Sequence, residues 1–129
     1  MATLIDHIVP PNEYFEEVAI LRIPTAQSWK IPAFVLYGGW NACPDAAEIM
    51  SVAKYWREKY DADICAIGNG TLEFRVGRPP STFEGALKLL REHILFCPEG
   101  FNDLAHVPDL VQTFAESLQS SRYWTFWWD

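Results

Sequence analysis

Hydrophobic residues in the middle and C-terminal parts of the chain recur at the spacing of amphipathic helices. One helix is predicted to begin near Pro44, where a missing backbone N–H costs nothing. A second begins at the capping sequence Ser81-x-x-Glu84, and a third begins around Pro108. The predicted inward face of the first helix consists of Ile49, Val52, Ala53, Trp56 and Tyr60.

Between the first two helices, the apolar residues change to the spacing of β-strands. The segments Ile64–Ile67 and Leu72–Val76 flank the turn Gly68-Asn69-Gly70, which predicts an antiparallel hairpin. In the second strand every other residue is apolar, whereas Glu73 and Arg75 point the opposite way. We therefore predict that one face of the hairpin is packed and the other is wet.

The C-terminus is the most aromatic part of the chain, with Tyr123, Trp124, Phe126, Trp127 and Trp128. An exposed patch of this kind would aggregate or bind a partner. We predict a final strand that is inserted between other strands and covered by helices. Two further strands are predicted at Val18–Ile23 and Ala33–Tyr37. The predicted fold is a single α+β domain spanning residues 1–129, with a mixed sheet and about three helices.

Composition limits the class of protein. The chain has 129 residues, of which 50% are hydrophobic, so it is large enough for one packed core and too apolar for disorder. No apolar run reaches the roughly 18 residues of a membrane span. Three scattered cysteines do not make a disulfide framework, and the first residues lack the pattern of a secretion signal. We expect a cytoplasmic protein without a membrane anchor.

The charge distribution indicates the kind of partner. Ten basic and seventeen acidic residues give a net charge of −7, which argues against nucleic-acid binding. No Lys or Arg occurs between Arg91 and Arg122. We expect a basic protein partner to be contacted there, with an exposed tryptophan as apolar anchor, by Glu99, Asp103, Asp109 and Glu116. A second acidic group comprises Asp6, Glu13, Glu16 and Glu17. The alternative is that these charges only keep a hydrophobic protein soluble.

Residues 38–44, Gly-Gly-Trp-Asn-Ala-Cys-Pro, form a glycine-rich bend into the first helix and are the densest candidate for chemistry. Free N–H groups and the helix dipole would favour a thiolate, so Cys43 is a candidate nucleophile or redox thiol. Cys43, His93 and Glu92 form the alternative catalytic set, although neighbours on a helix point about 100° apart. The structural alternative is that Asn41 caps the helix and Cys43 is a packed side chain.

Other polar positions carry weaker signals. His93 and Cys97 lie four apart and would share a helix face, but no paired motif supplies further metal ligands, so we expect no metal and no cofactor. Trp40, Asn41 and Arg78 are candidate binding residues. Arg78 or Asn41 would also provide a partner for a buried Glu92.

Several of these motifs together resemble one uncharacterised family of small bacterial domains that is known by a domain-of-unknown-function label. The similarity covers roughly residues 33–129 and rests on Gly-Gly-Trp-Asn-Ala-Cys-Pro at 38–44, Trp56 with Tyr60, Arg78-Pro79-Pro80, Glu92-His93 with Cys97, and Phe126-Trp127-Trp128-Asp129. The resemblance implies no known reaction or cofactor. It implies small cytoplasmic proteins, some of them encoded near toxin–immunity genes.

These observations favour a non-enzymatic interaction module, an immunity protein that neutralises a basic bacterial toxin through an acidic surface. The alternative function is a thiol-dependent enzyme or small-ligand binder centred on Cys43. The oligomeric state is left open.

Overall fold

The computed structural model describes residues 19–129, which form a three-stranded antiparallel sheet covered on one face by helices. Four α-helices and two 3₁₀ helices occur in this part of the chain, so the predicted count of about three helices was too low. In chain order the elements are the first 3₁₀ helix Ser28–Lys30, α1 Ile31–Val35, α2 Ala46–Tyr60, β1 Ala62–Gly68, β2 Thr71–Val76, α3 Phe83–Phe96, the second 3₁₀ helix Pro98–Ala105, α4 Pro108–Ser120 and β3 Tyr123–Trp127.

The predicted helix after Pro44 is confirmed as α2, with a different cap. Asp45 is the N-cap residue: its side chain accepts the Glu48 N–H, and the Glu48 carboxylate accepts the Asp45 N–H in return. Asn41 is therefore not the cap. Four of the five predicted inward residues of α2 are buried, and Val52 is half-buried. The helical period alone was sufficient to orient this helix.

The predicted hairpin is also confirmed. β1 and β2 pair antiparallel, and β2 lies between β1 and β3. Gly70 adopts a φ of +79° in the turn, and a Cβ there would lie 2.6 Å from the Trp128 carbonyl oxygen. The turn therefore needs glycine at this position both for its backbone conformation and for its contact with the C-terminus.

One side chain of the hairpin contradicts the prediction of a wet face. Arg75 is exposed as expected, but Glu73 is completely buried. Glu73 lies on the central strand, opposite Ala66 of β1 and Thr125 of β3. Burial raises the pKa of its carboxyl group to about 8.

The aromatic C-terminus forms β3, and its side chains alternate between the two faces. Trp124 and Phe126 are buried, whereas Thr125 and Trp127 are exposed. Within residues 19–129 β3 pairs with β2 alone, so its insertion between two strands stays a prediction. The described strands all run antiparallel, and the predicted mixed sheet is wrong for this part of the chain.

Trp56 of α2 is the centre of the core. Its ring stacks on Phe126 at a centroid distance of 5.5 Å and meets Phe74 and Trp124 edge to face, each at 5.4 Å. Phe96 of α3 meets both Trp56 and Phe126 at about the same distance. α2 and α3 thus cover one face of the sheet through aromatic contacts, which add specific geometry to the burial of apolar area.

The segment Ala33–Tyr37 is not a strand. Its first residues belong to α1, which has Pro32 in its first turn and ends where Leu36 adopts a φ of +53°. A run of five apolar residues has no period that separates a buried strand from a short helix. Residues 19–23 contain a single bridge at Leu21 and no strand. Val18 and the acidic group Asp6, Glu13, Glu16 and Glu17 lie outside the described residues.

The remaining predicted helices are confirmed, with small shifts. α3 begins one residue later than the capping sequence suggested, since the Thr82 side chain, not that of Ser81, accepts the Gly85 N–H. α4 begins at Pro108, as predicted. None of the helices in residues 19–129 combines the length and apolarity that crossing a membrane requires.

Candidate functional site

A groove of about 510 Å³ lies between α2 and α3 and contains a positioned carboxylate. Glu92 of α3 accepts a hydrogen bond from the Tyr55 hydroxyl at 3.0 Å and another from the Trp56 indole Nε1 at 3.0 Å. The two donors are neighbours on α2 and bind different oxygens of the carboxylate. Glu92 is therefore held in one orientation, and each oxygen keeps capacity for a further donor.

The rest of the groove is mostly apolar. Trp56 and Phe96 are buried and form its inner wall, while Leu95 is 83% exposed. Glu48 also lines the groove, with its carboxylate engaged in the N-terminal cap of α2. The other lining residues are Pro44, Ser51 and Val52. The site combines two carboxylates with an apolar surface, an arrangement that a simple packed interface between helices does not need.

Lys59 adds a cation at the edge of this network. Its Nζ donates to the Tyr55 hydroxyl at 2.8 Å, and this hydrogen bond raises the pKa of the lysine. Lys59 does not pair with Glu92 itself: over residues 19–129 the ion pairs are those of Arg57 with Asp61 and Asp63. Among the described residues, the Glu92 carboxylate is thus stabilised by neutral donors and not by an opposite charge.

The structure does not bring the alternative catalytic residues Cys43, His93 and Glu92 into a triad. Cys43 is buried, and burial raises the pKa of its thiol to about 11, with partial opposition from a backbone hydrogen bond of Gly39. This is the opposite of the shift that an activated thiolate requires. The carboxylate of Glu92 is bound to α2 and not to an imidazole.

His93 is a buried neutral side chain among aromatic rings. The rings of Trp124 and Phe126 each lie 4.8 Å from its centroid, and that of Trp56 lies at 5.1 Å. Among the described residues no group accepts or donates a hydrogen bond at its Nε2. Burial lowers the pKa of His93 to about 3, so the side chain is uncharged at neutral pH.

The possible metal pair is also separated from further ligands. The Cys97 thiol donates to the Trp127 carbonyl oxygen at 3.1 Å and is buried. No cluster of three or more His, Cys, Asp or Glu side chains in residues 19–129 is arranged to hold a metal ion. His93 and Cys97 are both buried, so their i, i+4 spacing places them on the inward side at the end of α3.

Trp40, Asn41 and Arg78 fix the ends of elements. Asn41 has a φ of +45°, and its Nδ2 donates to the Asp129 backbone oxygen at 2.6 Å. Trp40 meets Tyr37 edge to face, with ring centroids 4.8 Å apart. Arg78 donates to the Glu58 carbonyl oxygen near the end of α2 at 2.9 Å. The sequence suggested Asn41 or Arg78 as the partner of Glu92, and this prediction is wrong. The partners of Glu92 are Tyr55 and Trp56.

The predicted acidic contact residues lie on the second 3₁₀ helix and on α4. Asp103, Asp109 and Glu116 are exposed. Glu99 is half-buried, and its carboxylate accepts the Asp129 N–H at 3.3 Å. Asp109 and Glu116 are seven residues apart, which places them on one face of α4.

Sequence reasoning missed two features of the site. Tyr55 lies on the polar side of α2, and only the neighbouring helix shows that its hydroxyl reaches Glu92. Leu95 is an exposed apolar residue that interrupts the polar side of α3. A leucine on the outer side of an amphipathic helix is a signal that could have pointed to the groove.

The fold and the groove define a small α+β domain that presents a carboxylate on an apolar surface between two helices. A family model described as "Domain of unknown function (DUF4253)" matches residues 19–129, and the chain belongs to this family. No curated protein and no solved structure matches the chain.

Proposed function

We propose that this protein is a cytoplasmic protein-interaction module, an immunity protein that neutralises a basic bacterial toxin. Its contact region is the acidic surface formed by Glu99, Asp103, Asp109 and Glu116. The observation that carries the proposal is that Asp103, Asp109 and Glu116 are exposed, that Glu99 is half-buried, and that none of the four has a cationic partner among the described residues. No Lys or Arg occurs from residue 92 to residue 121.

Such a surface favours encounter with a positively charged protein. Uncompensated charges of one sign raise the rate of association with an oppositely charged partner and disfavour partners of like charge. Gln112 supports the surface by donating to the Glu116 carboxylate at 2.7 Å. The total charge of −7 acts in the same direction over longer distances.

The C-terminal strand carries an exposed aromatic side chain. Trp127 is 44% exposed on β3. The Asp129 N–H binds the Glu99 carboxylate, and the Cys97 thiol binds the Trp127 carbonyl oxygen, so the end of β3 is held against the second 3₁₀ helix. Exposed aromatic residues are enriched at interface hot spots, so Trp127 is the proposed apolar anchor.

The choice of a toxin as partner rests on the family resemblance, because some members similar to this chain are encoded near toxin–immunity genes. The thiol-dependent alternative has less support. Cys43 is buried and its thiol pKa is raised, so a nucleophile there would be protonated at neutral pH.

The proposal is tested by co-expressing this protein with the product of the adjacent gene, which the proposal expects to be a basic toxin. We expect the wild-type protein to restore growth. The double variant Asp109→Asn, Glu116→Gln is expected to associate with the purified toxin at least about threefold more slowly at low salt. A matched control is Glu58→Gln, Glu84→Gln, which likewise changes the net charge from −7 to −5.

The control is well matched because Glu84 lies in the first turn of α3, as Asp109 lies in the first turn of α4. If cells die equally with and without the protein, the immunity function is wrong. If both double variants slow association equally, total charge and not the acidic surface attracts the partner.

A further inference from the structure

We propose that the groove between α2 and α3 binds an arginine side chain of a basic partner protein, with Glu92 as the residue that pairs with the guanidinium group. The inference rests on the proposed function for the identity of the partner as a protein. It adds a second contact site, distinct from the acidic surface on the second 3₁₀ helix and α4.

The Glu92 carboxylate is oriented before any partner arrives. Tyr55 and Trp56 each donate to one of its oxygens at 3.0 Å. A carboxylate oxygen accepts about two hydrogen bonds, so each oxygen has one acceptor position left. A guanidinium group presents two parallel N–H donors and therefore matches two oxygens of one carboxylate.

The charges around the groove favour a cationic ligand. Glu92 is half-buried, and no basic side chain of residues 19–129 forms an ion pair with it. The nearest cation of its network, Lys59, donates to the Tyr55 hydroxyl instead. Glu48 contributes a second negative charge to the lining. A cation that pairs with Glu92 would relieve the cost of its partly desolvated charge, and Glu48 adds to the negative potential of the groove.

The apolar surface of the groove suits the aliphatic part of an arginine side chain. Arginine carries three methylene groups that bury well along apolar walls while the charged head pairs at the end. Val52, Leu95 and Phe96 provide such walls. Leu95 is 83% exposed, which leaves the groove open to a side chain that projects from another protein. A volume of about 510 Å³ also leaves room for an apolar neighbour of the arginine.

The test uses the whole ¹⁵N-labelled protein and the peptide acetyl-Leu-Arg-Leu-amide, followed by NMR. The Trp56 indole N–H donates directly to Glu92, so its resonance reports on the pair. We expect saturable shifts of this resonance and of the Leu95 amide. The peptide with citrulline in place of arginine is neutral and similar in shape, and it is expected to bind at least about tenfold more weakly.

Two variants separate binding from folding. Glu92→Gln removes the charge and is expected to weaken peptide binding about tenfold or more. Leu95→Lys places an ammonium group one helical turn from Glu92 without touching the core, and is expected to block binding by internal competition. The matched control is Leu36→Lys at a residue that is 88% exposed and does not line the groove, and it should bind like the wild type.

Equal binding of the arginine and citrulline peptides would overturn the proposal, as would the absence of any shift at Trp56 at millimolar peptide. Equal binding of a lysine peptide would overturn the assignment to a guanidinium group. Because no toxin is used, these results are independent of the growth assay. Loss of protection in Asp109→Asn, Glu116→Gln with intact peptide binding would separate the acidic surface from the groove.

Discussion

Acidification is expected to destabilise this protein through one buried side chain, His93. Burial lowers its pKa from 6.5 to about 3, so the folded chain keeps the imidazole neutral. The unfolded chain binds a proton below about pH 6.5, whereas the folded chain does not until about pH 3. The stability that depends on a neutral His93 is therefore complete above pH 6.5 and is lost as the pH falls toward 3.

The magnitude follows from proton linkage. With pKa values of 6.5 and about 3, the free energy of unfolding should fall by about 2 kcal/mol between pH 7 and pH 5 because of His93 alone. Other groups also titrate in this range, so the measurement compares wild type with His93→Phe. Urea unfolding at both pH values gives the difference between the two proteins, and a constant packing cost of phenylalanine cancels from it.

The expected result is that the wild type loses about 2 kcal/mol more than His93→Phe over this interval. His106→Phe is the control for the same change of residue at an exposed position, and it tests whether the effect is specific to the buried imidazole. If the variant does not fold, the imidazole ¹⁵N shifts of the wild type give the same answer, with His93 neutral at pH 5. A difference between wild type and His93→Phe that is the same at both pH values would refute the reasoning.

Three further predictions concern the helix termini and the thiol. Gly38→Ala should lower the free energy of unfolding by about 2 kcal/mol or more, because Gly38 has a φ of +106° and a Cβ there would lie 2.6 Å from the Pro44 carbonyl oxygen. The measurement is urea unfolding. The control is Gly100→Ala, where an added Cβ would make only an ordinary van der Waals contact with the Cys97 Sγ at 3.8 Å. Thr82→Ala removes the N-cap of α3 and should cost about 1 kcal/mol, and an unchanged melting temperature would contradict the cap assignment. Cys43 should resist iodoacetamide at pH 8 in the folded protein and react in urea, as followed by mass spectrometry; rapid labelling of the native chain would restore the case for a reactive thiol.

The elements that the sequence predicted correctly are those whose periodic pattern extends over many residues or that contain a distinctive turn. α2 and the β1–β2 hairpin were found because their patterns extend over several residues and end at Asp, Gly or Pro signals. The segment Ala33–Tyr37 was misassigned because it is too short to show a period. Glu73 was expected in solvent and is completely buried, whereas Arg75, two residues further along the same central strand, is exposed, so alternation along a strand does not by itself decide exposure.

For the candidate functional residues too, the sequence showed their chemistry and spacing but not their burial. Burial of Cys43 and His93 could not be read from the glycine-rich bend or from their helical spacing, yet it determines the pKa of both groups. The exposure of Asp103, Asp109 and Glu116 agrees with their charge, since ionised side chains are costly to bury. The α2–α3 groove was not predicted, because the acceptor Glu92 lies 37 residues from the donor Tyr55 and 36 residues from the donor Trp56 along the chain.

By itself the sequence determined the α+β class, the faces of the longer helices and the sign of the surface charge, because each depends on local spacing or on composition. The tertiary structure alone decided which polar groups form hydrogen bonds with each other, which are buried and in which direction burial shifts their pKa values. Glu92 illustrates the reason: a carboxylate acquires its partners and its local dielectric from the elements packed against it, and neither is encoded in its neighbours along the chain.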